Sequence, residues 1–366
     1  MNSDIQNNTI QNNVGDGLYN SSGRNIIFKN NTVTGNNIGV NTSYLDMATS
    51  DNIGNSITGN TIDGLYVSNF DTSGTSFTLG QDIVSNGGTL SSGKTLTIDP
   101  GVIIKVMPGR GINIYGELQS VGTSTNNIVF TSYNDNSVGT TYSGSTGTPG
   151  IDWIAIHIYG AGSTNSILDY TQVKHAGGHI YPYLYTGIYI KDSSPTVRNS
   201  LITLNYHGIR IRGNSSPTIF NNIIEDNSQN GLYINVSGGT PDIQNNTIQN
   251  NVGDGLYNSS GRNIIFKNNT VTGNNIGVNT SYLDMATSDN IGNSITGNTI
   301  DGLYVSNFDT SGTSFTLGQD IVSNGGTLSS GKTLTIDPGV IIKVMPGRGI
   351  NIYGELQSVW RLVQII

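Results

Sequence analysis

Apolar and polar residues alternate along this chain in short bursts, and the bursts recur at a near-constant interval. Segments open on glycine, then a branched apolar residue, an outward residue and often another apolar one. They are Gly187-Ile-Tyr-Ile, Gly208-Ile-Arg-Ile, Gly231-Leu-Tyr-Ile, Gly255-Leu-Tyr-Asn, Gly277-Val-Asn-Thr and Gly302-Leu-Tyr-Val, spaced by 21 to 25 residues. Each carries a further alternating run, such as Pro195-Thr-Val-Arg-Asn-Ser-Leu-Ile or Pro217-Thr-Ile-Phe-Asn-Asn-Ile-Ile. Period-two alternation over four to six residues predicts strands with one buried face, and no helical period of useful length appears. Such strands bury a face only by stacking as successive coils. The predicted inward columns are Ile188, Ile209, Leu232, Leu256 and, on a second wall, Val197, Ile219, Ile243, Phe266. Asn199, Asn221, Asn245 and Asn268 align at a bend, where asparagine tolerates left-handed backbone, and are expected to form an internal amide ladder.

A longer period contains the short one. Residues 4–121 recur without a change as residues 242–359, an offset of 238. The chain therefore reads as a window on a tandem array. Residues 1–75 are expected to be the C-terminal coils of one unit, 76–313 a complete unit, and 314–359 the N-terminal coils of the next. Residues 360–366 depart from the first copy and read as a frameshifted tail. The first copy continues Thr-Ser-Thr-Asn-Asn-Ile-Val, and one choice of codons, shifted by a base, encodes Leu-Val-Gln-Ile-Ile and a stop. Met1 enters in mid-repeat, so a secretion signal is expected upstream of the sequence in hand.

Composition narrows the class. Of 366 residues, 11% are charged and 34% hydrophobic, with 49 glycines. Low charge with abundant Ile, Val, Tyr and Thr favours sheet over disorder. A net charge of −8 disfavours nucleic acid, whose phosphates call for a basic face. Cysteine is absent, which excludes disulfides and thiolate metal sites. No apolar run approaches the roughly 18 residues of a membrane span.

The glycine-led strands and their 21–25-residue spacing resemble the right-handed parallel β-helix repeat proteins of the pectin-lyase-like superfamily. Thr95-Leu-Thr-Ile-Asp-Pro-Gly-Val-Ile-Ile-Lys-Val, with Gly111-Ile-Asn-Ile-Tyr-Gly-Glu-Leu after it, looks like the opening rungs of bacterial or archaeal surface members. The resemblance implies an all-β solenoid of about fourteen coils of 21–25 residues, some lengthened by loops. Ser132–Gly150 and Ala176–Thr186, rich in small residues and tyrosine, are expected to be those loops, where such folds usually bind.

Candidate chemistry gathers in the unduplicated middle, which holds all four histidines. Aligning Trp153-Ile-Ala-Ile-His157 with Gly187-Ile-Tyr-Ile-Lys191 and Gly208-Ile-Arg-Ile-Arg212 gives two outward columns. One runs Asn113, Ala155, Tyr189, Arg210, Tyr233, Tyr257, the other Tyr115, His157, Lys191, Arg212, Asn235. Tyrosine faces stack on sugar rings, and arginine pairs carboxylates in bidentate fashion. Tyr189, Arg210, Tyr233, Tyr257, His157, Lys191 and Arg212 are thus the candidate glycan-contact residues. The same residues also serve ordinary cross-strand packing on a wet sheet face.

Lyases and hydrolases that resemble this fold cluster carboxylates. Here Asp152, Asp169, Asp192 and Asp226 are scattered, one per coil, and no Asp-Asp pair occurs. His175 and His179 have the i, i+4 spacing of a helical metal pair, but Gly177-Gly178 between them opposes a helix. No catalytic residue, metal or cofactor is nominated. The expected function is an extracellular structural or adhesive repeat module with glycan contact, and its expected partners are polysaccharide and neighbouring units end to end. A polysaccharide lyase or glycoside hydrolase acting on an acidic polysaccharide is the alternative.

Overall fold

The computed structural model describes residues 3–22, 24–140, 151–178 and 185–358. Its strands are short, and every pairing among the described residues is parallel, each strand bonding to one a coil away. Two compact units emerge, Met1–Tyr206 and His207–Ile366, a division by compactness that differs from the units of the duplication. Residues 359–366, His179, and parts of both expected loops (141–150 and 179–184) lie outside the described residues.

In the first unit the longest wall carries Ile83–Ser85, Ile103–Val106, Ile128–Ser132, Thr171–Lys174 and Leu201–Thr203, preceded by strands from Leu18 onward. A second wall runs Ser76–Leu79, Thr95–Ile98, Glu117–Val121, Ile167–Asp169 and Thr196–Arg198. A third runs Gly88–Leu90, Ile112–Ile114, Ile156–Tyr159 and Thr186–Lys191. Inward positions meet in register: Ile104 with Phe130, Phe130 with Val173, and Ile114 with Ile158, then Ile190. All are sealed from solvent, because alternation places every second side chain inside.

The second unit repeats the scheme. Ile209, Leu232, Leu256 and Val278 form one inward column, and Ile219, Ile243 and Phe266 another, as the alternation predicts. Ile188 and Val197 occupy buried inward positions of the first unit.

The asparagine expectation is half right. Asn199, Asn221, Asn245 and Asn268 adopt left-handed backbone, with φ of 49°, 57°, 56° and 55°. The amide ladder is built one residue later, by Asn222, Asn246, Asn269 and Asn293. The left-handed residue turns the chain, and only its successor points into the coil, where it can bond the coils before and after. A second ladder, Asn227, Asn251, Asn274, Asn298, runs beside it and was not foreseen. The second strand of each coil is correspondingly split into two strands, such as Thr218–Phe220 and Ile223–Glu225.

The duplication provides an internal control, since identical residues meet different surroundings. Leu118 is 0% exposed beneath the following coil, whereas its twin Leu356 is 46% exposed. Leu118→Ala should cost about 2–5 kcal/mol and Leu356→Ala less than about 1. Urea unfolding of the two variants checks this, and equal losses would contradict the burial assignment.

Candidate functional site

The third wall of the first unit builds the best-formed site. Its register pairs Asn113 with His157, and His157 with Tyr189. Tyr159 pairs with Lys191. This corrects the alignment read from sequence by two residues. Ile156, not Ile154, lies beside Ile188, so His157 shares a column with Tyr189 rather than Lys191; Ala155, His157 and Tyr189 are all buried. The reason is that Trp153–Tyr159 alternates throughout, and a period of two fits either register. Trp153 settles it: its ring is buried, its backbone bridges Ala176, and its indole N–H donates to Lys174 O at 2.8 Å.

Outward aromatic rings then meet. Tyr115 and Tyr159 stack with ring centres 5.3 Å apart and planes 23° off parallel. Tyr189 meets Tyr159 edge-on at 5.6 Å and His157 at 5.8 Å. Offset stacks and edge contacts suit ring quadrupoles and hold the shelf in shape. Burial, with Tyr189 and Tyr115 adding to it, pushes the Tyr159 hydroxyl pKa up, so the ring stays neutral. An open groove of about 510 Å³ runs along this shelf, lined further by Ser68, Asn86, Thr89 and Arg110. Arg110 is the one charged side chain among its lining residues.

His157 is buried with Nδ1 2.8 Å from Asn113 Oδ1. Asn113 Nδ2 donates to Gly88 O at 3.3 Å, which leaves Oδ1 as acceptor and places the imidazole proton on Nδ1. Nε2 is then a lone-pair acceptor, buried and without a partner. Burial pushes the His157 pKa down to about 4. The sign of the linkage follows: between about pH 6.5 and 4 the unfolded chain binds a proton that the folded one refuses, so stability falls as the pH drops through that window. The loss should approach about 3 kcal/mol at pH 4. Urea midpoints across that range should show this slope reduced in His157→Gln, and an unchanged slope would refute the assignment.

The second unit holds its own outward set. Arg210 registers with Tyr233, Tyr233 with Tyr257, and Arg212 with Asn235. The Arg210 guanidinium sits 4.6 Å from the centre of the Tyr233 ring, a cation–π contact, and Tyr257 meets Tyr233 edge-on at 5.3 Å. His207 packs 5.4 Å from Tyr233. Burial, then the Arg210 charge, pushes its pKa down to about 3. Within the first unit the structure therefore unites His157 and Tyr189, with Lys191 at the strand end. Within the second it unites Arg210, Tyr233 and Tyr257, with Arg212 one outward position further on. Sequence reasoning missed Tyr159 and Arg110. The spacing His157-Ile-Tyr159 was a usable signal for the first, whereas Arg110 reaches the groove through a bend that no periodicity announces.

The scattered aspartates serve structure where their partners are seen: Asp169 pairs Arg198 Nε at 2.8 Å and accepts from Asn199 Nδ2 at 2.8 Å. No group of three or more His, Asp or Glu positioned to hold a metal occurs among the described residues.

Residues 150–300 match the family model described as right handed beta helix region. The fold is a right-handed parallel β-helix. The match and the parallel coils are those of the pectin-lyase-like fold, which names an architecture and leaves the activity of the β-helix open. No curated protein and no solved structure is found to match it.

Proposed function

We propose that this β-helix is an extracellular structural and adhesive module that contacts glycans along its outward aromatic face. The observation that carries the reading is the stacked Tyr115–Tyr159 pair lining a groove whose charged group is Arg110. A stacked ring presents a flat apolar surface to the face of a sugar, and a guanidinium suits a uronate carboxylate. The Arg210–Tyr233–Tyr257 set offers the same pairing of ring and cation in the second unit. The extracellular placement rests on the low charge, the tandem repetition and the surface-type opening rungs. No described helix is long and apolar enough to cross a membrane.

The test is retention of polygalacturonate and of its methyl-esterified counterpart, scored beside newly formed chain ends. Polygalacturonate should be held and left uncut. Tyr159→Ala should weaken the affinity about tenfold, the worth of one aromatic contact with its buried area, and Arg110→Ala should reduce the preference for the unesterified chain. New chain ends that vanish in Tyr159→Ala would move the β-helix to the lyases or hydrolases. No retention of either polymer would leave a rigid spacer.

A further inference from the structure

Ser68 lines the groove beside the aromatic shelf, and its one hydroxyl proton is already committed. It follows the strand Ile62–Val67, where Val67 O takes the Asn86 N–H at 2.9 Å and brings these two groove residues to one bend. Ser68 Oγ lies 3.1 Å from Asn41 Oδ1, and Asn41 Nδ2 lies 2.8 Å from Asp16 Oδ2. A carboxylate only accepts, so it claims the Asn41 amide N–H and turns the amide oxygen toward Ser68. That oxygen also only accepts, so the Ser68 hydroxyl donates to it. What Ser68 has left for the groove is lone pairs.

The orientation belongs to the repeat itself. Ser306 Oγ donates to Asn279 Oδ1 at 3.0 Å, and Asn279 Nδ2 donates to Asp254 Oδ2 at 2.8 Å. Among the described residues no donor bonds Ser68 Oγ. His157 Nε2, in a side chain that lines the same groove, is a second lone-pair acceptor, buried and without a partner. Two acceptors whose protons are fixed on the far side call for donors on the ligand. A site built to take a hydroxyl rejects an analogue that lacks it, because its own polar groups are then left unpaired.

We propose that Ser68 is the residue by which this groove selects a free ring hydroxyl, so that its ligand is an acidic polysaccharide without O-acetyl groups at the contacted positions. The inference rests on the glycan reading above and divides the recognition in two: Arg110 answers to the carboxylate, Ser68 to a hydroxyl. Acetylation replaces the O–H donor with an ester, whose oxygens meet the Ser68 lone pairs with lone pairs of their own.

The experiment compares retention of polygalacturonate with retention of the same polymer O-acetylated on its ring hydroxyls, its carboxylates left free. The parent should hold the acetylated polymer about tenfold more weakly, the worth of one hydrogen bond lost with its acceptor left unmet. Ser68→Ala should hold the unmodified polymer more weakly than the parent does and should discriminate between the two polymers less than about threefold. Ser68 is only half-buried, so the variant should keep the parent's unfolding midpoint, which is measured alongside. Equal retention of the two polymers by the parent would overturn the proposal, whatever the variant does. A discrimination that survives intact in Ser68→Ala would overturn it as well, by assigning the selectivity to bulk alone. Retention of neither polymer would instead overturn the glycan reading, and this inference with it.

Discussion

Asp135→Asn should cost the β-helix about 3–5 kcal/mol, among the largest effects of any single substitution outside the coil interior. Asp135 is 2% exposed, although it belongs to the segment that follows the strand Ile128–Ser132. Its carboxylate takes Lys174 Nζ at 2.9 Å, Thr131 Oγ1 at 2.7 Å, and both the N–H and Oγ of Ser137. Its backbone carbonyl takes buried Lys105. Burial pushes the Asp135 carboxyl up, but the hydrogen bonds from Ser137, Thr131 and Lys174 outweigh it and hold the group well below the usual carboxylate range. Removing the charge leaves the Lys105 and Lys174 cations under the same cover with no carboxylate between them. Because the folded pKa is depressed, the contribution is complete above the unfolded value near 3.9 and is lost as the pH falls below it. The stability gap between parent and Asp135→Asn should therefore be wide at pH 7 and narrow progressively below about pH 4. Urea unfolding at both pH values measures it; a gap independent of pH would show that the carboxylate is not the source. Asp135→Ala combined with Lys174→Met should recover part of the loss, because it removes one of the stranded cations.

Asn246→Ala should cost roughly 3 kcal/mol or more, while Asn8→Ala, the same residue of the repeated sequence, should cost about 1 or less. Asn246 is 1% exposed. Its Oδ1 accepts the backbone N–H and Nδ2 of Asn222, both at 3.0 Å, and its Nδ2 donates to Ile219 O, Gln244 O and Asn269 Oδ1. Truncation strands donors and acceptors on the coils before and after, and an unmade buried hydrogen bond costs far more than a made one contributes. Asn8 keeps its bonds to Asn31 and Gln6 O but is exposed, so water can replace what the variant loses. Paired unfolding curves would test both; a matched loss at the two positions would mean that the ladder is not the source of the cost.

The coil architecture was legible because it is local. A glycine or asparagine bend every few residues, with alternation between bends, already names strands, inward columns and a period. Ile209–Leu232–Leu256 and Ile219–Ile243–Phe266 followed directly. The ladder was misplaced by one residue because asparagine doublets such as Asn221-Asn222 do not declare which member turns the chain and which enters the coil. The groove was only partly legible. Tyr115, His157 and Tyr189 were visible as outward residues, but their registration was not, since alternation alone leaves a two-residue slip undecided. Trp153 resolved it by packing against a later coil, a long-range contact.

The repeated segment separates the two kinds of information. Sequence alone determined that residues 76–120 and 314–358 would form the same strands with the same inward faces, and they do, because period-two alternation acts within a few residues. It could not determine that Lys105 would be buried and bonded to Asp135 while Lys343 stood exposed, or that Asn246 would be locked in a ladder while Asn8 faced water. Tertiary structure decided those by what it stacked on each copy. Desolvation and hydrogen-bond satisfaction depend on neighbours a whole coil away, and the letters of the segment itself do not carry them.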